Sequence, residues 1–320
     1  MDKVVVTGGG GFIGSNLAHL LLEEGYEVTV YDDFSSGYRS NVERTPEFST
    51  PEFKVVEGDV RDAEHVAEVA AGASIIFHLA ASVGNKRSID HPREDASVNV
   101  LGTLNVLEAA RTNGVGKVVY SSSAGIFGEL RHLPIREDHP VEPDSPYGVS
   151  KLAAEKMCLA YAKLYDLEAV CLRYFNVYGR NQRYDAYGNA IPIFAHQMLS
   201  GELVTIFSDG EQTRDFVNVR DIARANLLAG RVTNVSGAFN IASGDALTVN
   251  ELVALVAAIS GREPTIVHGP PRKGDVRHSR ADISAARSGL GYEPVVGLAD
   301  GLTEYIDWLR TESALGPDRA

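Results

Sequence analysis

A chain of 320 residues, of which 44% are hydrophobic and 23% charged, can bury a large core and has the composition of an ordinary globular protein. Its net charge of −13 argues against nucleic acid or an anionic membrane as a partner, so any phosphate must be bound at a local site. No apolar run approaches a membrane span, and the first residues predict a strand at Lys3–Thr7 rather than a signal peptide. Cys158 and Cys171 predict no disulfide framework. We therefore expect a reduced, cytoplasmic protein.

Strand-like and helix-like segments alternate through the first half of the chain. The predicted strands are short apolar or β-branched runs, namely KVVVTG, YEVTVYD, FKVVEGD, SIIFHLA, GKVVYSSS and EAVCLRYF. Helices are predicted between them at Gly14–Glu24, Arg61–Ala71, His91–Asn113 and Tyr147–Tyr165. This alternation predicts an α/β fold, a doubly wound parallel (Rossmann) sheet with helices on both faces.

The alternation ends near Phe175, where loops and shorter elements begin. We predict an NAD-binding Rossmann domain over residues 1–175, to which a return segment of about residues 215–242 belongs. A smaller mixed α/β domain over residues 176–320 is expected to bind the substrate. No repeat or long flexible linker separates the two regions, so they are expected to pack tightly together.

The segment VVVTGGGGFIG follows a predicted strand and opens a predicted helix. Gly9, Gly11 and Gly14 fit the spacing G-x-G-x-x-G, and Gly8 with Gly11 and Gly14 fits a related G-x-x-G-x-x-G spacing. Both spacings allow backbone N–H groups and a helix N-terminus to approach a pyrophosphate. A glycine-rich turn without a ligand is the alternative interpretation.

Two carboxylates end the next predicted strand, in VYDD, about 20 residues after the glycines. A carboxylate at this place can bind both hydroxyls of an adenosine ribose, and it repels a 2′-phosphate. Asp32 therefore favours NAD over NADP, with Asp33 as the second candidate. Together with the glycines, these residues predict that the cofactor is NAD.

Tyr147 and Lys151 lie four residues apart at the start of a predicted helix, and therefore on one helical face. Such a pair also occurs on ordinary helix surfaces, so its meaning depends on its surroundings. Just upstream, VVYSSSAGIFG ends a predicted strand in serines, and ligands lie at the carboxyl ends of strands in open α/β sheets. Ser123 is therefore expected to face Tyr147 across the nicotinamide ring.

The chain resembles the extended short-chain dehydrogenases/reductases, and within that family it is most similar to the nucleotide-sugar 4-epimerases. The resemblance covers nearly the whole length through TGGGGFIG, GDV, HLAA, SSSAGIFG, YGVSK, RYFNVYG, TRDFVNVRD and RKGDVRHSRAD. It implies that Ser123, Tyr147 and Lys151 are catalytic, that NAD is the cofactor and that a UDP-sugar is the substrate. It also implies a homodimer formed by the helices near Val98–Asn113 and Tyr147–Tyr165.

The same resemblance assigns two sets of binding residues. The residues expected to line the NAD pocket are Gly8, Gly11, Phe12, Ile13, Gly14, Asp32, Asp33, Ser35, Ser36, Gly37, Asp59, Val60, Leu79, Ala80, Ala81, Asn99, Tyr147 and Lys151. The residues expected to contact the UDP-sugar are Ser123, Tyr147, Asn176, Arg183, Ile191, Arg214, Arg272 and Asp275. Among these, Arg214 and Arg272 are expected to clamp the diphosphate. No metal site is expected, because His78, His196 and His278 lack metal-ligand spacing.

The chemistry that the resemblance implies is a reversible oxidation at C4 of the sugar. Tyr147 removes the 4-hydroxyl proton while C4 gives hydride to NAD, and the 4-keto sugar takes the hydride back on its other face. A free tyrosine has a pKa near 10. An ammonium about 4 Å away stabilises the phenolate by about 4 kcal/mol at an effective dielectric near 20. Lys151 is expected to lower the pKa of Tyr147 in this way.

Three alternatives share the fold. A sugar 4,6-dehydratase of this family carries an Asp-Glu pair after the catalytic Ser or Thr, where this chain has Ala124 and Gly125. A decarboxylating, xylose-forming relative likewise carries a Glu there. A non-enzymatic, NAD-sensing protein on this scaffold typically lacks the catalytic trio, which this chain keeps. The 4-epimerase is therefore favoured.

The sugar is identified less directly. Uronate 4-epimerases of the family place an arginine where this chain has Arg183, and a guanidinium binds a carboxylate bidentately. UDP-glucuronate is therefore the favoured substrate. UDP-glucose or UDP-galactose is the main alternative, and UDP-N-acetylglucosamine remains open because Ser279, at the position of the family's substrate gate, is small.

Overall fold

The computed structural model describes residues 2–43, 50–184, 189–271 and 276–314. Up to residue 174, strands and helices alternate as the sequence predicts. A π-helical turn, Ser97–Gly102, lies between the fifth and sixth helices. These first elements are β1 (Lys3–Thr7), α1 (Phe12–Glu23), β2 (Glu27–Asp32), α2 (Ser40–Glu43), β3 (Phe53–Glu57), α3 (Ala63–Ala70), β4 (Ile75–His78), α4 (Asn85–Asp90), α5 (Pro92–Ala96), α6 (Thr103–Asn113), β5 (Lys117–Ser123), α7 (Pro146–Leu164) and β6 (Glu168–Tyr174).

Shorter strands and further helices make up the rest of the chain. They are β7 (Asn176–Tyr178), α8 (Ala190–Ser200), β8 (Val204–Phe207), β9 (Thr213–Arg214), β10 (Phe216–Asn218), α9 (Val219–Arg231), β11 (Gly237–Ile241), β12 (Leu247–Thr248), α10 (Val249–Ser260), β13 (Ile266–Gly269), α11 (Ser284–Leu290) and α12 (Leu298–Ala314). Six of these strands form three small two-stranded sheets, which pair β10 with β7, β12 with β9 and β13 with β8.

Seven parallel strands form the central sheet in the order β11-β6-β5-β4-β1-β2-β3. The predicted doubly wound Rossmann fold is confirmed. Strand β11 pairs with β6 from Gly237 opposite Val170 to Ile241 opposite Tyr174. The chain therefore enters the second region at β7 and later returns to complete the sheet.

The two faces of the sheet are buried in separate cores because side chains alternate along each strand. In β1, Val4 and Val6 pack in one core together with Leu17 of α1. Val5 packs in the other core with Leu107 of α6. Helices α1 and α9 cover the first face, whereas α3, α6 and α7 cover the second.

A third core lies in the second region, where α8, α10 and α12 meet. It contains Tyr178, Phe194, Leu252 and Ile306. Because this core is distinct from the two cores of the sheet, we propose that the substrate domain is built around it. The candidate active site lies where the carboxyl ends of the sheet strands face this second region.

The helix predicted over His91–Asn113 is interrupted by the π-helical turn. Within the turn, a Cβ at Gly102 would lie 2.7 Å from Val60 Cγ2, so a glycine is needed for the turn to pass this side chain. Thr103 Oγ1 donates to Asn99 O at 2.7 Å at the start of α6. Such turns are frequent at functional sites, and periodicity in the sequence does not reveal them.

Candidate active site

The glycine-rich loop after β1 packs directly on the chain at the end of β4. Gly8 has φ +69°, and a Cβ at this position would lie 2.5 Å from Ala80 N. A Cβ at Gly14 would lie 2.1 Å from Gly8 O, so the first turn of α1 touches the loop. Gly11, at the N-cap position, has no side chain to cap the helix. The loop and the N–H groups of this first turn thus have the form of a pyrophosphate cradle, whose close packing a Cβ at Gly8 or Gly14 would prevent.

Asp32 joins the end of β2 to this loop. Its Oδ2 accepts from Gly10 N and its Oδ1 accepts from Phe34 N, both at 2.8 Å. The carboxyl is buried, and burial raises its pKa, while the bonds from Phe34 and Gly10 act in the opposite direction. The structure therefore brings the predicted ribose carboxylate next to the predicted pyrophosphate cradle.

Residues 33–43, which we name the β2–α2 segment, pack against the same loop. Asp33 Oδ1 accepts from Ser35 N at 2.9 Å and from Ser35 Oγ at 2.6 Å, which shapes the turn that includes Ser36. A Cβ at Gly37 would lie 2.8 Å from the carbonyl carbon of Gly10. The contact between the two segments therefore requires glycine at this position.

Two further predicted NAD residues, Asp59 and Val60, follow β3. Asp59 Oδ1 accepts from Arg61 N at 2.8 Å and from Arg61 Nε at 2.9 Å, and this partner lowers the pKa of the Asp59 carboxyl. Asp59 O accepts from Tyr31 Oη at 2.8 Å. Val60 is buried beside them, so this part of the pocket wall is fixed by side chains of β2 and the β3–α3 loop.

The segment after β4, which contains Leu79, Ala80 and Ala81, is held by Asn99 from the π-helical turn. Asn99 Oδ1 accepts from Ser82 N at 2.8 Å, and Asn99 Nδ2 donates to Ser82 O at 3.0 Å. This pair of bonds fixes the backbone that faces the glycine-rich loop. The structure thus places these four predicted NAD residues along one wall.

Ser123 and Tyr147 come together as predicted, at the end of β5 and the start of α7. Their hydroxyls lie close enough for hydrogen bonding from Ser123 to act on the pKa of the phenol, and Gly125 N donates to Ser123 Oγ at 3.1 Å. Tyr147 is held in place through its backbone, because Tyr147 N donates to Ser88 Oγ at 3.0 Å. A Cβ at Gly125 would lie 3.4 Å from Ser123 Oγ and 3.6 Å from ring carbons of Tyr147. Position 125 therefore faces both side chains.

The pKa of the Tyr147 phenol is raised from its ordinary value, and burial is the main cause. The hydrogen bond with Ser123 lowers it, whereas the negative charge of Asp95 raises it further. The expectation that Lys151 lowers this pKa stays a prediction, since burial and the charge of Asp95 outweigh the effect of Ser123 in this arrangement. The phenol is protonated at neutral pH unless positive charge is added next to it.

Lys151 lies four residues after Tyr147 on α7, with 3% of the residue exposed. Its Nζ donates to Ser121 Oγ at 3.5 Å and lies 4.6 Å from the ring centre of Tyr120. Burial lowers its pKa from 10.5 to about 8. Negative charges nearby, including those of Asp95 and Glu155, act in the opposite direction and favour the ammonium.

Asp95 is a buried carboxylate that the sequence analysis missed. Ser150 Oγ donates to its Oδ2 at 2.8 Å, and Asn99 Nδ2 donates to the same atom at 3.0 Å. Ser150 Oγ also lies 3.0 Å from Tyr147 O, so the carboxylate is connected to the tyrosine's own helix turn. The available signal was the spacing of Asp95 and Asn99, four residues apart on one helical face.

The predicted UDP-sugar residues are spread over several elements. Asn176 Nδ2 donates to Asp215 O at 3.0 Å, and Arg214 Nη1 donates to Thr213 O at 2.8 Å. Ile191 is 1% exposed and packs in the third core, so its role at the sugar stays a prediction. The predicted diphosphate ligand Arg272 and its neighbour Asp275 lie outside the described residues.

Arg183 bonds to the β2–α2 segment and to α12 rather than to Ser123 or Tyr147. Its Nη2 donates to Glu312 Oε2 at 2.9 Å, and its Nη1 donates to Asn41 Oδ1 at 2.8 Å. The guanidinium is therefore already paired with a carboxylate of the chain itself. The sequence-based assignment to a uronate carboxylate does not account for these bonds.

The expectations about membrane spans and metal sites concern all of the described residues. Residues 2–43, 50–184, 189–271 and 276–314 contain no helix long and apolar enough to cross a membrane. In the same ranges, no group of three or more His, Cys, Asp and Glu side chains is arranged to hold a metal ion. His78 lies between Thr7 Oγ1 at 2.7 Å and Thr103 Oγ1 at 2.9 Å, and burial lowers its pKa to about 3. This imidazole is neutral and part of the core.

Known proteins resemble the chain over almost its full length. A UDP-glucose 4-epimerase of Mycolicibacterium smegmatis is 40% identical over 97% of this chain and 99% of its own. The crystal structure of UDP-glucose 4-epimerase from Thermotoga maritima with UDP-glucose is 38% identical, with a TM-score of 0.91 over 97% of this chain and 99% of that one. MoeE5, solved with NAD and either UDP-glucuronic acid or UDP-glucose, is 37% identical, with a TM-score of 0.86 over 97% of this chain and 99% of its own.

A family model also matches residues 4–242, which include the glycine-rich loop, Asp32, Ser123 and the Tyr147–Lys151 pair. The match extends past β11, the strand that completes the sheet. The cradle formed by the glycines and Asp32 is consistent with the NAD that the family uses. The chain therefore belongs to the NAD dependent epimerase/dehydratase family.

Proposed function

We propose that the chain is an NAD-dependent UDP-sugar 4-epimerase, which inverts C4 through a transient 4-keto sugar. The observation that carries this proposal is the site around Tyr147: the Ser123 hydroxyl lies close enough to lower the pKa of the phenol, and Gly125 borders both side chains. Tyr147 can transfer a proton here, and the neighbouring positions 124 and 125 carry no acidic side chain. The phenol and the Ser123 hydroxyl are sufficient for the proton transfer that accompanies reversible oxidation at one carbon.

In the proposed mechanism, Tyr147 Oη takes the proton of the C4 hydroxyl and later returns it. Ser123 Oγ binds the same sugar oxygen and supports the phenolate, since its hydrogen bond lowers the pKa of Tyr147. Lys151, buried on the same helix, contributes an ammonium whose charge favours ionisation of groups near it. NAD, when bound, accepts and returns the hydride and adds positive charge.

The dehydratase and decarboxylase alternatives fit the site less well. Elimination at C6 requires an acid to protonate the departing hydroxyl. The position from which a side chain would contact both Ser123 and Tyr147 is Gly125, which has none. Its neighbour Ala124 is also without a titratable group. A 4-keto sugar formed here is therefore expected to return its hydride at C4 rather than lose a group.

We propose a neutral hexose, UDP-glucose or UDP-galactose, as the substrate. The preference for UDP-glucuronate rested on Arg183, whose guanidinium is bound to Glu312 and Asn41. UDP-glucuronate remains the second candidate, because MoeE5 was solved with both UDP-glucuronic acid and UDP-glucose. UDP-N-acetylglucosamine is a third, since Ser279 is small. We also propose that the protein works as a homodimer.

Separate incubations with UDP-glucose, UDP-N-acetylglucosamine and UDP-glucuronate, followed by resolution of the C4 epimers, test this proposal. We expect UDP-glucose to give UDP-galactose with the highest kcat/KM. In the matched Tyr147→Phe control, kcat should fall by a factor of about 10² to 10⁴, since the proton-transfer group is lost. If UDP-glucuronate is the best substrate, the neutral-hexose assignment is wrong. If no C4 epimer forms from any of the three, the epimerase assignment is wrong.

A further inference from the structure

The guanidinium of Arg183 is enclosed between the β2–α2 segment and the C-terminal helix α12. Its Cζ lies 4.0 Å from the ring centre of Tyr38 and 5.8 Å from that of Trp308. The side chain is 14% exposed, and its ion-pair partner Glu312 is 23% exposed. We name this group the Arg183 cluster, and its members are Tyr38, Ser40, Asn41, Arg183, Trp308 and Glu312.

The cluster members in the β2–α2 segment bind the glycine-rich loop directly. Asn41, whose Oδ1 accepts from Arg183 Nη1, donates through its own Nδ2 to Gly10 O at 2.9 Å. Tyr38 N donates to the same carbonyl oxygen at 3.0 Å. Gly10 N in turn donates to Asp32 Oδ2. A continuous set of hydrogen bonds therefore connects Arg183, through Asn41 and Gly10, with Asp32.

The segment that carries Arg183 is itself fixed to the first helix of that cradle. Asn181, with φ +70°, donates from Nδ2 to Ser15 Oγ at 2.9 Å. Asn16 Nδ2 donates to Arg180 O at 2.9 Å. From the other side, Tyr305 Oη of α12 donates to Gln182 O at 2.7 Å. Residues 180–183 are thus bound to α1 on one side and to α12 on the other.

We propose that Arg183 is a positioning residue for NAD, which holds the β2–α2 segment against the glycine-rich loop and ties both to α12. Helix α2 has four residues, and a helix this short depends on tertiary contacts for its position. Arg183 supplies two hydrogen bonds to it and a stacking contact with Tyr38. The inference rests on NAD binding, and it applies whichever sugar the protein acts on.

Retention of NAD measured on the purified protein tests this proposal. Arg183→Ala should lose NAD during dialysis that leaves wild type loaded, and its dissociation constant for NAD should rise at least tenfold, about 1.4 kcal/mol. Excess NAD in the assay should restore kcat, and the KM for UDP-glucose should stay unchanged. The matched control is Arg220→Ala, which removes a more exposed ion pair with Glu304 of the same helix α12. This control should retain NAD like wild type.

Two conservative variants keep the test decisive if Arg183→Ala fails to fold. Glu312→Gln keeps a hydrogen-bond acceptor but removes the charge, and Arg183→Lys keeps the charge but loses the planar fork. Each should weaken NAD binding by a smaller factor than Arg183→Ala, with kcat restored by added NAD. The proposal is overturned if these variants hold NAD as tightly as wild type. It is also overturned if Arg183→Ala changes only the KM for UDP-glucuronate, because that result would assign the guanidinium to substrate binding.

Discussion

Lys151 carries a buried ammonium, and burial makes its positive charge unfavourable. The residue is 3% exposed, and burial lowers its pKa from 10.5 to about 8. Between these two values the unfolded chain binds more protons than the folded one, so stability rises with pH in that range. At pH 7 the buried ammonium therefore costs about 3 kcal/mol of folding free energy at 1.36 kcal/mol per pKa unit.

Lys151→Met should stabilise the NAD-free protein while it abolishes epimerisation. The expected gain is about 3 kcal/mol at pH 7, and it should shrink by about 1 kcal/mol at pH 9, because wild type then loses part of its buried charge. Urea denaturation of both proteins at the two pH values measures this difference. Lys163→Met, which replaces an exposed lysine of the same helix, is the control and should show no such pH dependence. A gain that grows from pH 7 to pH 9 would contradict the account.

The sequence identified site residues that belong to recognisable motifs. It did not identify Asp95, whose importance depends on its burial in the folded protein. Ser123 and Tyr147 were predicted to face each other, and both side chains border the same position, Gly125. Asp95 has the sequence appearance of a solvated helix residue, yet it is 0% exposed. Its burial depends on Ser150, which is 55 residues away in the chain. No local pattern encodes a contact of that kind.

At the level of the elements, the strands were easier to predict than the interruption of a helix. All six predicted strands occur, since short, nearly continuous apolar and β-branched runs are typical of strands in a parallel sheet buried on both faces. The stretch over His91–Asn113 has helical periodicity throughout, and one π-helical turn, Ser97–Gly102, leaves that periodicity almost unchanged. That turn places Asn99 against Ser82, which the sequence could not show.

The π-helical turn and α7 also present apolar side chains to solvent. Leu101 is 56% exposed, Val149 is 54% exposed and Leu164 is 70% exposed. A face of this kind on two neighbouring helices supports the proposed homodimer, in which the same surface of each protomer is buried.

Sedimentation at micromolar concentration should therefore show a species of twice 34.5 kDa, or about 69 kDa. Leu101→Glu should shift the protein to the monomer, because it places a charge in the centre of an apolar interface. Val295→Glu, which alters an exposed valine on the loop before α12, should leave the dimer intact. A wild-type species of 34.5 kDa alone would exclude the dimer.

At the scale of the whole molecule, the second region holds parts of the first region in place. Arg183 bonds to residues that are 142, 143 and 129 positions away in the sequence, in the β2–α2 segment and in α12. A motif comparison assigned this arginine to the substrate because such comparisons see the local segment only. The contacts that define its role exist only once the two regions are folded against each other.

The central claim is that the protein removes hydride from C4 of a UDP-sugar and returns it to the same carbon. The most direct test is UDP-glucose with deuterium at C4, incubated in ordinary water and analysed by mass spectrometry of both epimers. The account predicts UDP-galactose that retains the deuterium at C4, with no net consumption of NAD, because a tightly held cofactor carries the label within one catalytic cycle. An epimer that contains hydrogen from water at C4, or a 6-deoxy-4-keto product, would contradict it.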